Sequence, residues 1–264
     1  VREFSEIDAI ALYDDQVAAH KPAWGPKVFI FMPKAGDAVF PSDWSAGVTY
    51  LLLRSEHGVP RSRGQGHEHP DETSFVLYAG GEMLALDAGY IDFNLHDKVN
   101  QGRNHKVVRV DGQGPPLLTL LGQPVDGGKD AYIENPFASE WMDYAEVRAA
   151  HQGVSARRRV MFPGKQYFLV ADHLEDDQTH TYEWHLHGSS GGDTSARATW
   201  PAGSAQGPNC WPNCPSGAGQ TFSEVDTLHP FAYLQELTHT ALRVQQQGKE
   251  ARFLALKGWR LGPG

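Results

Sequence analysis

The sequence predicts an all-β protein, an antiparallel sandwich with a short helical linker at its N-terminal end and one helix near its C-terminus. Three observations point there. Short apolar runs recur roughly every 8–15 residues, each closed by a turn signal, which is the rhythm of strands in a sandwich. The 264 residues include 28 Gly and 17 Pro, enough for many tight turns and too few for low-complexity disorder. Helical spacing is confined to two stretches. A chain of this length buries roughly 70–75% of the surface its unfolded form exposes, so neither a metal nor a disulfide is needed merely to fold.

The elements follow in order. In residues 1–26, Phe4, Ile7, Ile10, Leu12 and Val17 sit among acids at loose helical spacing, and Pro22 and Pro26 close the stretch. It is expected to be a helical linker, or the tail of a preceding domain, entering a single domain over 27–264. Residues 28–31 and 47–53 are apolar runs of strand length. Residues 73–78 and 82–87 are two more, and Ala79-Gly80-Gly81 between them marks a hairpin. Residues 106–110 run into Asp111-Gly112, and residues 117–121 into Gly122. Further strands are expected at 156–162, 167–172, 181–187 and 252–256, with Arg157, Arg158 and Arg159 forming a solvated face. Residues 188–219 are rich in Gly, Ser, Pro and Asn and read as a long loop. Residues 230–247 carry Phe231, Leu234, Leu237 and Leu242 at 3–4 spacing and predict the C-terminal helix.

Charge removes several function classes. The chain has 23 Lys and Arg against 32 Asp and Glu, a formal net charge of −9. A general nucleic-acid binder or a membrane-surface protein would be basic. No apolar run approaches the roughly 18–20 residues of a membrane span. A homo-oligomer is left open. The two cysteines, Cys210 and Cys214, are separated by Trp211-Pro212-Asn213. They either close a small disulfide loop outside the cell or remain two thiols; without a second pair they do not make a zinc site.

The chain holds 13 His, and His67, His69, His180, His185 and His187 fall into two tight groups. His67 and His69 share one face of an extended segment just before the hairpin. Asp87 ends the second hairpin strand, and a hairpin returns that end to the neighbourhood of His69. His105 opens the next strand. Two imidazoles and a carboxylate form a three-ligand zinc set with one open position. The alternative is that each His caps a strand or bonds a carbonyl. His185 and His187 share one strand face, either as part of a second metal site or as inter-sheet hydrogen-bonding groups. Trp24, Trp44, Trp184, Trp200, Trp211 and Trp259 are candidates for anchoring core and loops or for stacking on a ligand's ring.

Several blocks together resemble a known family. They are Phe31-Met32-Pro33-Lys34-Ala35-Gly36, Ser42-Asp43-Trp44, His67-x-His69-x-Asp71-x-x-Ser74-Phe75, Asp87-x-Gly89-Tyr90, and His105 ahead of Val108-Arg109-Val110-Asp111-Gly112. Arg157-Arg158-Arg159-Val160, residues 168–172, residues 182–188 and residues 252–256 continue the series. In order and spacing, over about residues 27–258, this is similar to the C-terminal domain of the heparinase II/III-like polysaccharide lyases. The resemblance implies an antiparallel super-β-sandwich. It implies His69, Asp87 and His105 as ligands of a divalent metal, usually zinc, and His67 as a catalytic-cleft histidine. Tyr90 becomes the candidate for acid–base work, and Arg61, Arg63 and Arg103 become candidates for pairing with uronate or sulfate groups. The implied partners are an anionic polysaccharide and an α/α toroid domain, on a secreted, periplasmic or cell-surface protein. The implied reaction is β-elimination on a uronic-acid polymer. A non-catalytic carbohydrate-binding or structural module that keeps the metal site is the rival. Two positions depart from the family pattern. Pro41 precedes Ser42-Asp43-Trp44 where an Arg is usual, and Lys106-Val107 follows His105 where Asn-Thr is usual. The toroid has no counterpart in these 264 residues, so the chain taken alone is expected to be nearly inactive.

Overall fold

The computed structural model describes residues 29–45, 47–57, 69–89, 96–116, 119–120, 123–124, 130–188, 221–229 and 237–258. They form two main antiparallel sheets. The first is a meander of β1 (Ile30–Met32), β2 (Asp37–Pro41), β3 (Tyr50–Arg54), β4 (Phe75–Ala79) and β5 (Glu82–Ala85), in that order. The second contains β6 (Val108–Val110), β9 (Tyr132–Ala138), β10 (Met142–His151), β11 (Val154–Pro163), β12 (Tyr167–His187), β13 (Thr221–His229) and β14 (Leu237–Gly258). Its order is β13-β14-β12-β11-β10-β9, with β6 paired to the far half of β12. A small hairpin, β7 (Thr119–Leu120) and β8 (Gln123–Pro124), stands apart.

Period-2 alternation decides which faces meet. In β2 and β3, Ala38, Phe40, Leu51 and Leu53 point inward; in β4, Phe75 and Leu77 do. The second sheet answers with Val147, Val160, Phe162, Phe168 and Val170, all fully buried. These residues belong to one continuous core. Phe40 meets Phe168 edge-on across the sheets at 6.4 Å, and Phe168 stacks on Phe162 at 4.0 Å. Burying a side chain of this size is worth about 1.5–3 kcal/mol, so this seam dominates the attachment of one sheet to the other.

Three expectations are corrected. The C-terminal helix is absent over its described part: residues 237–247 belong to β14, paired to β12 on one side and β13 on the other. β13 pairs residues 237–245 and β12 pairs residues 241–247, so the segment is held in a ladder along its length and tertiary pairing overrides the helical spacing. Among the described residues the helices are one short turn, α1 (His96–Val99), and a 3-10 turn at Gly102–Asn104. The two strands expected at 167–172 and 181–187 are one 21-residue strand, β12. The polar segment between them is carried by an irregularity between Glu175 and His180, where His180 is held by Asp111 and Asp176 at 2.7 Å each. Third, Arg157–Arg159 are not a uniform solvated face. Arg157 and Arg159 point outward, and Arg158 points into the core with 1% of its surface exposed. The linker at 1–26, the loop at 189–219 and the Cys210–Cys214 pair lie outside the described residues. No described helix is long and apolar enough to cross a membrane.

Candidate metal centre

His69, Asp87 and His105 come from three separate segments and meet. One ligand atom from each lies within 4.8 Å of the other two. His69 ends the approach to β4, Asp87 follows β5, and His105 follows the 3-10 turn before β6. The β4–β5 hairpin brings the first two together, as its sequence predicts. His105 Nδ1 lies 2.9 Å from Asp87 Oδ2, and the His69 and His105 rings are 5.1 Å apart. His105 is fully buried. Bonds of about 2.0–2.2 Å on a tetrahedral zinc place its ligand atoms about 3.4 Å apart, so small side-chain adjustments would close the set around an ion.

Two observations test the fit of a divalent ion. The His105 Nε2 atom is buried and has no hydrogen-bond partner. The donor set, two imidazoles and a carboxylate, matches what such ions bind. Among the described residues it is the one such cluster.

The backbone around each ligand is fixed by buried polar contacts. Thr73 sits at φ +75° in the turn after His69, and its N–H donates to the Arg54 carbonyl at 3.0 Å. The Asp71 N–H donates to the His69 carbonyl at 2.9 Å, closing the same turn. Arg54 Nη1 donates to Asp71 Oδ2 at 3.3 Å. The Gly89 N–H donates to Asp87 Oδ1 at 3.2 Å. The Leu86 N–H donates to the His187 carbonyl at 3.0 Å, tying the Asp87 segment to the end of β12. Gly102 and Gly114 lie face to face: a Cβ on either would come within 2.6 Å of the other's Cα. Only two glycines allow the 3-10 turn to sit that close, and the turn delivers His105.

Arg158 joins these pieces. Its Nε and Nη2 donate to the two carboxylate oxygens of Asp172 at 2.7 and 2.9 Å, a bidentate pair. Its Nη1 donates to the Thr73 carbonyl at 2.6 Å and also to the Lys106 carbonyl. One buried guanidinium thus clamps the turn after His69 to the residue after His105. Trp184 Nε1 donates to Asp172 Oδ2 at 2.8 Å, completing that carboxylate's shell. Lys106 continues the chain, with its Nζ donating to the Leu86 carbonyl and lying 3.8 Å from Asp87 Oδ2.

Electrostatics follow from this crowding. Burial would raise the Asp87 carboxyl, but His105, Lys106 and the Gly89 N–H outweigh it and hold the group well below the usual carboxylate range. Burial raises the Asp71 carboxyl, with His105 and Arg54 pulling the other way. Burial pushes the Lys106 ammonium down to about 8 against the pull of Asp87 and Asp71. The site therefore presents an ionised Asp87 beside two imidazoles.

Of the other sequence candidates, Arg103 is exposed in the 3-10 turn, beside Arg109. His67, Tyr90, Arg61 and Arg63 lie outside the described residues. His185 and His187 stack at 6.1 Å on the face of β12 that also carries Glu183. Both nitrogens of His185 are buried without a hydrogen-bond partner, so the expected inter-sheet bond is not made there. Burial and the nearby Arg109 and Arg243 push its imidazole down to about 3, and no described carboxylate joins the pair as a third ligand. Trp184 is a core residue, as one reading of the tryptophans expected. Arg158 and Lys106 were missed as site residues. The signal for Arg158 was available: it shares the inward parity of Ala156, Val160 and Phe162.

Comparison with known proteins agrees with this fold. The family described as heparinase II/III-like, C-terminal, matches residues 26–251. The heparin-sulfate lyase of Pedobacter heparinus is 23% identical over 155 residues, covering 56% of this chain and 21% of that protein. The crystal structure of a heparan sulfate lyase from Pedobacter heparinus superposes with a TM-score of 0.69 at 18% identity, covering 100% of this chain and 41% of that one. A heparinase III structure gives a TM-score of 0.69 at 13% identity, covering 86% of this chain and 36% of the other. At these identities the structural likeness speaks for the fold. The chain spans well under half the length of each relative.

Proposed function

Given that the chain belongs to the heparinase II/III-like C-terminal family, we propose that it is the metal-holding β-sandwich of a polysaccharide lyase. The lyase would cleave a uronic-acid polymer by β-elimination, together with an α/α toroid domain, outside the cytoplasm. The observation that carries this reading is the convergence of His69, Asp87 and His105 on one point. Zinc is the ion proposed for this donor set, and when bound it would supply a charged tie between three chain segments.

The chemistry needs three things in one cleft. The uronate carboxylate must be neutralised, the C5 proton removed and the departing oxygen protonated. Arg61, Arg63 and Arg103 are the groups proposed to pair with the carboxylate, which makes the C5 proton more acidic. His67, one residue-pair from a metal ligand, is proposed to take that proton. The electron pair then forms the C4–C5 double bond as the C4–O4 bond breaks, and Tyr90 gives the leaving oxygen its proton. What supports the roles of His67, Tyr90, Arg61 and Arg63 is their place in the sequence beside the ligands. All of them belong to the β-sandwich chain, which in this reading supplies one wall of the cleft. Positioning supplies about 7–11 kcal/mol in well-oriented reactions, and a single wall forfeits much of that.

The test is product absorbance. The 264-residue chain, alone and joined to its toroid, is incubated with heparan sulfate, chondroitin, hyaluronan and alginate. The unsaturated product absorbs in the ultraviolet. The expected result is turnover by the joined protein on one polymer class, abolished by His67→Ala, and little or none by the chain alone. No product from any polymer would favour the non-catalytic binding module instead.

A further inference from the structure

Both ring nitrogens of His185 are buried without a hydrogen-bond partner, on a residue only 2% exposed. A native fold rarely leaves such a group unsatisfied, and a bound ion or water is the usual explanation. The strand pairing shows what surrounds the ring. His185 lies on the face of β12 opposite Tyr182, Trp184 and Leu186, which belong to the core. On one side β6 places Arg109 directly across from Glu183, two residues before His185. On the other side β14 places Arg243 directly across from His185. The two guanidinium heads converge on Glu183: Arg109 Nη1 lies 3.1 Å from one carboxylate oxygen and Arg243 Nη1 lies 3.3 Å from the other. The carboxylate beneath them is covered, whereas the Arg109 and Arg243 side chains are 19% and 34% exposed.

The charges of this cluster do not cancel. Arg103, exposed in the 3-10 turn, is close enough to Arg109 to repel it, and it makes no ion pair among the described residues. Three guanidiniums thus stand against one carboxylate. Ala241 and Gln245 flank Arg243 on this face of β14, and Val225, Ser223 and Thr221 occupy the paired positions on β13; none is acidic. Asp111, two residues past Arg109, is engaged by His180 at 2.7 Å. The His185 imidazole registers the excess. After burial, Arg109 and Arg243 are the influences that keep it neutral, and no carboxylate pulls the other way. A neutral imidazole still has one N–H to donate.

Donors that close in from three strands suit a ligand with oxygens in more than one plane. A carboxylate has two coplanar oxygens and matches a single guanidinium fork. A sulfate or phosphate group presents oxygens in several directions. A cation would meet the repulsion of the guanidiniums, and a water would leave their excess charge uncompensated. We propose that Arg109, Arg243 and His185, with Arg103 at the rim, form an oxyanion site for a sulfate-type group, built from none of the metal ligands. It lies beside the metal centre: the Leu86 N–H donates to the carbonyl of His187, two residues and about 7 Å along β12 from His185. The group arrives as a free anion or as an ester on a polymer. The second source rests on the reading above that the protein handles an acidic polysaccharide; the site itself does not.

Proton–nitrogen correlation spectra of the imidazole rings test it, with the His185 signals assigned by their loss in His185→Gln. At constant ionic strength made up with sodium chloride, sodium sulfate shifts the His185 ring nitrogens along a saturable curve. Arg109→Gln and Arg243→Gln each weaken this binding about tenfold. Arg148→Gln, which removes an arginine on β10 paired with Glu134, leaves it unchanged, and so does His69→Ala. If Arg109→Gln lowers the melting temperature, Arg243→Gln decides, because its side chain is the more exposed of the two. A sulfated uronate disaccharide that shifts the same signals when its unsulfated counterpart does not supports the polymer-borne source; a response to inorganic sulfate alone supports the free anion. His185 signals that ignore sulfate, or binding weakened as much by Arg148→Gln as by Arg243→Gln, overturn the proposal and leave the lyase reading, which product absorbance tests separately. A shift of the His185 signals by zinc in His69→Ala, with none by sulfate, would mark a metal site and overturn it as well.

Discussion

Replacing Arg158 by Met should separate the metal centre from the fold that carries it. The guanidinium makes a bidentate pair with Asp172 and donates to the carbonyls of Thr73 and Lys106. Methionine keeps most of the volume and removes every donor. Asp172 is then left buried with Trp184 Nε1 still donating to it, and two carbonyls lose the donor they share. Breaking a buried pair from one side costs about 3–5 kcal/mol, a large part of the roughly 5–15 kcal/mol that holds a domain together. The melting temperature should fall by about 10 °C. Adding Asp172→Asn removes the stranded charge while keeping an acceptor for Trp184, so most of that loss should return. Zinc affinity should not return. The turn after His69 and the residue after His105 remain unclamped in both variants, and supporting contacts of this kind are worth about 10–100-fold in metal affinity. The assay is thermal melting paired with a zinc titration against a chromophoric chelator. Wild-type zinc affinity in the double variant would refute the clamp and leave Arg158 a purely structural residue.

Other outcomes follow from the same geometry. Gly102→Ala should lower zinc affinity about tenfold, because the new methyl meets Gly114 backbone at 2.6 Å and must displace the turn that delivers His105; an unchanged chelator titration would contradict this. His151 is buried against the Val108 carbonyl at 3.1 Å, and burial pushes its imidazole down to about 4. The unfolded chain therefore binds a proton that the folded chain refuses between about pH 6.5 and 4, so stability falls as pH drops through that window, by about 2 kcal/mol at pH 5. His151→Gln keeps a donor and does not titrate; its melting temperature should depend less on pH over that range, and an identical pH slope would count against the assignment.

Much of the site was legible because it rests on local chain geometry. The Gly80-Gly81 turn defines a hairpin, and a hairpin must return Asp87 towards His69. His105 required only that the next strand lie close by. What the sequence hid depends on partners distant in the chain. Residues 237–247 show helical spacing, yet β13 and β12 between them pair the whole segment, on both sides over 241–245, and a segment cannot reveal its future neighbours. Ala156, Val160 and Phe162 alternate inward, and Arg158 follows their parity, but an arginine between two others looks solvated until Asp172 and two carbonyls are seen opposite it.

The account turns on whether three segments share one ion. Anomalous diffraction from crystals of the purified chain, collected on both sides of the zinc absorption edge, answers that directly. A single peak bounded by His69, Asp87 and His105, lost in His105→Ala crystals of unchanged fold, is the predicted result. A zinc-loaded crystal with no peak there, or a peak that survives His105→Ala, would contradict it.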